Sequence, residues 1–216
     1  MSEQFNIITW FDSFVLWIRD RRIEVIDILS DCAAERYLNC LTAYHLRLYG
    51  RTQSIEGLWA RCEWNNTDIS IGVANKPLYN ENGIWNKAWE MRTTGDLSQI
   101  ECKLLYAHQG ATKCLDAIQK LGDQLTTRRA VDHEYEHFDQ RYYGMVWLCR
   151  YSWANELEIE PLLERHALGT RIGSELAQPY ARIGSISIDD IWPTDGTWGT
   201  ASLYVTLREW SPKPAS

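Results

Sequence analysis

An α/β fold, with a central mixed β-sheet flanked by helices, is predicted by three observations. Apolar residues recur at helical spacing through the first fifty positions. The pattern then changes to period two around residues 57–74 and again at 99–107, as strands require. A long amphipathic stretch at 111–130 joins the second of these runs to a strongly apolar one at 142–153. Strand, helix, strand of this length is a crossover between two parallel strands, expected to be right-handed.

The elements follow in order. Phe11, Phe14, Val15 and Ile18, then Val25, Ile26 and Leu29, predict one or two amphipathic helices, broken near Arg21-Arg22. Ser30 or Asp31 is a plausible cap for the next helix, which Leu38, Leu41, Leu46 and Leu48 turn toward a core and Gly50 ends. Glu35 falls in its first turn, where a carboxylate favours the helix dipole. Leu58, Ala60, Cys62 and Trp64 alternate with Trp59, Arg61 and Glu63; Asn65-Asn66 makes a turn, and Ile69, Ile71 and Val73 continue as the second strand of a hairpin.

Residues 75–95 read as a loop-like insertion whose Tyr79, Trp85 and Trp89 either stack on bases or pin the loop to the core. After the strand at 99–107, Leu115, Ile118, Leu121 and Leu125 form the stripe of the crossover helix. Residues 158–178 read as a further helix, closed by Pro179. Residues 183–191 and 202–210 then alternate as a hairpin around Pro193-Thr194-Asp195-Gly196.

A chain of 216 residues, 45% hydrophobic and 24% charged, is most simply one soluble domain with a sizeable core. Its 11 tryptophans suit core and interface packing. The formal net charge of -7, from 29 acidic against 22 basic side chains, counts against a nucleic-acid binder, which usually presents a basic face, although a small local patch suffices for phosphate contacts. The compact basic clusters are Arg19-Asp20-Arg21-Arg22 and Arg128-Arg129. Six cysteines, at 32, 40, 62, 102, 114 and 149, show neither CxxC pairing nor regular spacing. With no signal-peptide pattern, this predicts a reducing, cytoplasmic setting. The apolar run at 5–18 is interrupted by Asn6, Asp12 and Ser13 and is too short to span a bilayer, so no membrane role is expected.

The chemistry concentrates in two strands. Ile100, Cys102 and Leu104 share one face of theirs, while Glu101, Lys103 and Leu105 share the other. A neighbouring strand can set Asp68 beside Glu101, with Lys103 one pleat further on. Paired carboxylates suit a hard cation such as Mg²⁺, which takes oxygen ligands and keeps several waters. A lysine beside them can stabilise charge building on a phosphate or orient the attacking water. Asp96 is the rival to Asp68, but along one extended strand it would stand about 16 Å from Glu101, too far to share an ion.

At Asp68, Glu101 and Lys103 the sequence resembles the PD-(D/E)xK, or restriction-endonuclease-like, nuclease superfamily. Thr67 stands where the motif's proline would be. The resemblance covers roughly residues 30–153, whose element order matches the superfamily's αβββαβ core, with an added N-terminal helix and C-terminal hairpin. It implies a Mg²⁺-dependent endonuclease hydrolysing DNA, with Mn²⁺ as a substitute ion. Asp68, Glu101 and the main-chain carbonyl of Cys102 would hold the ion, and Lys103 would serve the hydrolytic water or the phosphate. The resemblance further implies Glu35 as a helper reaching the metal, Gln124 as a helix glutamine near the site, and a homodimer for cutting both strands.

Two alternatives stand beside it. A non-catalytic domain of the same fold, binding nucleic acid or protein, suits the acidic surface. His133-Glu134-Tyr135-Glu136-His137 also matches the zinc-peptidase pattern H-E-x-x-H, in which both histidines would bind Zn²⁺ and Glu134 would act as base. Against that, the run is polar throughout and Tyr143 occupies the place of a third ligand, although Glu156 or Glu158 could supply one.

Overall fold

In the computed structural model, residues 5–28, 33–55, 57–64, 67–73, 97–132, 140–151, 168–172, 181–187 and 199–210 are described. They form four α-helices, α1 (Ile7–Arg19), α2 (Arg22–Asp27), α3 (Ala34–Thr52) and α4 (Ala111–Asp132). Seven strands accompany them: β1 (Leu58–Trp64), β2 (Thr67–Val73), β3 (Leu97–Tyr106), β4 (Gln140–Tyr151), β5 (Leu168–Ile172), β6 (Ala181–Ser187) and β7 (Thr200–Trp210). The sheet runs β1-β2-β3-β4-β7-β5, and β6 also pairs with β7. Only β3 and β4 are parallel; every other pairing is antiparallel. An α/β protein with a mixed sheet flanked by helices is what the periodicities predict. From α3 to β4 the order is helix, three strands, helix, strand.

The two faces of the sheet carry separate apolar clusters. Even-numbered Ile100 and Cys102 on β3 pack with Ile69 and Ile71 of β2, Leu203, Val205 and Leu207 of β7, and the apolar sides of α1, α2 and α3. On the other face, Leu105, Val146, Leu148 and Trp210 pack with Cys114, Ile118, Leu121 and Leu125 of α4. Period two on the strands therefore sorts each side chain to one helix layer or the other.

The first helix begins where expected: the Asn6 side chain accepts from the N–H groups of Ile8 at 2.8 Å and Thr9 at 3.3 Å. This satisfies donors that have no partner within the helix. The break near Arg21-Arg22 falls between α1 and α2.

Two expectations are corrected. Gly50 does not end α3, which continues to Thr52. This glycine instead admits the neighbouring strand, since a Cβ at position 50 would lie 2.9 Å from Leu58 Cδ2. Nor is 158–178 a continuous helix, because residues 168–172 form β5 against β7. The free edge of β7 offers a row of hydrogen-bonding groups, and Gly169 weakens any helical alternative. Ser30, Asp31, the Asn65-Asn66 turn, the insertion at 75–95, Asp96 and the turn at 193–196 lie outside the described residues.

Among the described residues, no helix is long and apolar enough to cross a membrane. Cys40, Cys62, Cys102, Cys114 and Cys149 are thiols rather than halves of a disulfide.

Candidate active site at the open edge of a strand

The antiparallel ladder between β2 and β3 is short. It pairs Ile71 with Ser98, Ser70 with Gln99 and Ile69 with Ile100, and stops there. Strand β2 itself continues to Thr67, which pairs with Trp64 of β1. Beyond Ile100, then, β2 stays with β1, and among the described residues no strand pairs with that edge of β3. Continued by one step, the register would set Asp68 opposite Glu101, both on the face away from the buried Ile69, Ile71, Ile100 and Cys102.

Carboxylates take over where the ladder ends. The Cys102 N–H donates to Asp68 Oδ2 at 2.7 Å. Two residues on, the Leu104 N–H donates to Glu35 Oε2 at 2.8 Å. In a strand, alternate N–H groups point to the same edge, so these are successive donors of one exposed row. A residue's C=O leaves a strand on the same side as its N–H, which turns the Cys102 carbonyl toward this edge as well.

The four predicted side chains converge here. The Glu101 side chain stands close enough to Asp68 to lower its pKa as a hydrogen-bonding neighbour. Two carboxyl groups this close are relieved by a proton or a cation between them. Glu101 is only 3% exposed, whereas Asp68 is half-buried. Burial pushes the Asp68 carboxyl above its ordinary value. The Cys102 N–H, the Glu101 side chain and the Lys103 charge oppose that rise, and the Glu35 charge adds to it.

Lys103 Nζ lies 3.0 Å from Glu35 Oε1, with the two side chains 23% and 35% exposed respectively. Glu35 comes from the first turn of α3, on the opposite face of the sheet, and reaches Lys103 at the open edge. The Cys102 thiol is fully buried and raised well above its ordinary value, first by burial and then by the surrounding carboxylates. It stays protonated and inert.

Across the sheet from Glu101 stands a glycine. On β4 the partner of Glu101 is Gly144, whose partner on β7 is Arg208. Arg208 is 4% exposed and lies on the same face as Glu101, one strand beyond the glycine. Burial lowers its pKa from the ordinary arginine value. Sequence reasoning missed this residue. Alternation along Leu203-Tyr204-Val205-Thr206-Leu207-Arg208 puts it with Tyr204 and Thr206 on the more polar face, so no local signal marked it as buried.

As a metal site, the donor set is selective. Among the described residues, no three or more His, Cys, Asp or Glu side chains are gathered to hold a metal ion. Mg²⁺ needs no such gathering, since it is held by one or two carboxylates while waters and substrate phosphates complete its shell. Two apposed carboxyl groups, one of them deeply buried, fit that requirement, since a hard cation would relieve their repulsion. Gln124 is exposed on α4. The His133–His137 motif, Glu156, Glu158, Tyr79, Trp85 and Trp89 lie outside the described residues.

Comparison of the chain with models of known families, with curated proteins and with solved structures gave no match.

Proposed function

We propose that the chain is a Mg²⁺-dependent endonuclease that hydrolyses phosphodiester bonds in DNA. The observation that carries this reading is the apposition of Asp68 and the buried Glu101 where the β2–β3 ladder ends, with Lys103 on the same strand beside them. Bringing two carboxyl groups together, with one of them nearly sequestered from water, opposes folding unless a proton or a cation lies between them. An interaction kept against that opposition is commonly functional.

Asp68 and Glu101 would hold the ion, with the Cys102 carbonyl directed to the same edge. Mg²⁺, or Mn²⁺ in its place, supplies charge neutralisation for a phosphate and a water made more acidic. The remaining work falls to the chain. Lys103 is an ammonium donor that can fix the attacking water or stabilise the extra charge on the pentacovalent phosphate. Hydrolysis then forms one P–O bond from water and breaks the P–O bond to the leaving nucleotide; the attacking water gives a proton to solvent, and the leaving alkoxide oxygen takes one from solvent. Cutting both strands of a duplex would call for two such sites, hence a homodimer.

A second reading has an observation of its own. Asp68 and Glu35 each satisfy a main-chain donor of β3 that the sheet leaves unpaired. That is sufficient structural reason for both, and a non-catalytic binding domain with net charge -7 would need no more. The two readings separate in one experiment. Plasmid, linear DNA and RNA are incubated with the protein in Mg²⁺, Mn²⁺ or EDTA, alongside Glu101→Ala and Lys103→Ala. Cutting of DNA that needs the divalent ion and falls by about 100-fold or more in both variants, to a rate still measurable, supports the endonuclease. Cutting of RNA alone would move the substrate class, and binding without cutting in all three proteins would leave the binding domain.

A further inference from the structure

We infer that Glu35 is a positioning residue for Lys103 rather than a ligand of the metal ion, an inference that rests on the phosphodiesterase reading above. Both of its carboxylate oxygens are engaged by β3: Oε1 by Lys103 Nζ at 3.0 Å, Oε2 by the Leu104 N–H at 2.8 Å. The second bond anchors the carboxylate to the main chain immediately after Lys103. The first then fixes the end of a flexible four-carbon stem that would otherwise sample many rotamers.

An ammonium has three donors, so the one given to Glu35 leaves two for a water and a phosphate oxygen. Glu35 therefore need not be displaced when substrate enters. It reaches the edge from α3, whereas Asp68 and Glu101 lie on the sheet, so the cation's two carboxylates and the lysine's holder come from different layers. Lys103 is thus oriented before any ion or substrate arrives, as electrostatic catalysis requires.

The test compares Glu35→Gln with wild type. The amide oxygen of glutamine can still accept from Leu104 N–H, but its NH₂ cannot accept from Lys103. A positioning role predicts kcat for DNA cutting about 100-fold lower, with the Mg²⁺ concentration for half-maximal activity unchanged. Mn²⁺ binding, followed by titration calorimetry without substrate, should also be unchanged. A rise of about tenfold in either metal constant would identify Glu35 as part of the metal site and overturn the inference.

The contact itself is read without activity, from acylation of Lys103 by an amine reagent, followed by peptide mass spectrometry. Labelling should be faster in Glu35→Gln, and an equal rate would overturn the contact. Glu35→Gln added to Lys103→Ala should lower cutting no further, because the residues then act as one unit. If wild type binds no divalent ion and cuts no nucleic acid, the phosphodiesterase reading fails. The labelling result still distinguishes that failure from the loss of the Glu35–Lys103 contact.

Discussion

Two of the places where the described residues bury polar groups are resolved in opposite ways. On one face of the sheet, Trp10 Nε1 donates to His45 Nδ1 at 3.1 Å inside a cluster of aromatic rings. Donor meets acceptor, both are neutral, and His45 is 3% exposed. On the other face, the open edge of β3 gathers Asp68, Glu101, Lys103 and Glu35, whose charges are only partly balanced. The first cluster contributes a specific, satisfied contact to the core. The second keeps two carboxyl groups in conflict. A fold needs the first kind of cluster; the second kind invites a cation, which is why the function is sought there.

The sharpest way to break that comparison is to remove a carboxylate and ask only about chemistry. Glu101→Ala is expected to lower DNA cutting by about 100- to 1000-fold, measured at saturating Mg²⁺ and corrected for the folded fraction. His45→Gln, corrected in the same way, should cut like wild type. If the two variants lose activity equally, the site is not at the β3 edge.

Acid should strike the His45 cluster next. Burial, assisted by the charge of Arg21, pushes the His45 pKa down from 6.5 to about 4. Protonation would also remove the acceptor that Trp10 uses. Between those two values the unfolded chain binds the proton and the folded one resists it, so stability rises with pH across the window. The contribution is intact above pH 6.5, declines as pH falls toward about 4, and changes no further below that. The whole loss is about 3 kcal/mol. Urea unfolding at a series of pH values would read it, and His45→Gln, whose side chain can still accept from Trp10 without titrating, should flatten the slope. An unchanged slope would assign the acid sensitivity to other groups.

How much of this was legible beforehand depends on the range over which each signal acts. Alternation along β3 suffices to put Glu101 and Lys103 on one face, because period two is a property of the strand alone. Bringing Asp68 alongside needed only an adjacent strand, and β2 supplies it. The stopping of the ladder at Ile69 and Ile100 is not written locally, and with it goes the reason Cys102 and Leu104 recruit carboxylates. Glu35 was legible as a first-turn acid, but its reach around the edge to Lys103 depends on how α3 lies against the sheet. Likewise, nothing near His45 announces Trp10, 35 residues away.

Gly50 shows the same limit, and tests it. A glycine after an apolar helical run reads as a terminator. Here the helix runs through it, and the missing side chain is needed by Leu58. Gly50→Ala should therefore destabilise by about 1–2 kcal/mol, despite alanine's better helix propensity, because the new Cβ meets Leu58 within the packed core. Thermal or urea unfolding decides it, and a stabilised variant would show that β1 can move aside. Both polar clusters should be untouched, with cutting at the wild-type level once the folded fraction is matched.

The smallest effect tests the conflict itself. Because burial raises the Asp68 pKa above 3.8, its ionisation favours the unfolded chain. The sign follows from linkage: stability falls as pH rises from the unfolded value through the folded one, and the penalty is complete above it. Asp68→Asn keeps an oxygen for the Cys102 N–H but no longer places a second ionisable carboxyl beside Glu101. In EDTA at neutral pH, the variant should be as stable as wild type or slightly more so, even though it no longer cuts. Adding Mg²⁺ should stabilise wild type, since a bound ion favours the state that binds it, and should leave the variant unchanged. Removing a charge from a buried site without loss of stability would mean that Asp68 is held there against its own electrostatic preference. A variant that is clearly less stable, with or without the ion, would instead put Asp68 in the same class as Trp10 and His45, as a polar group kept for the fold.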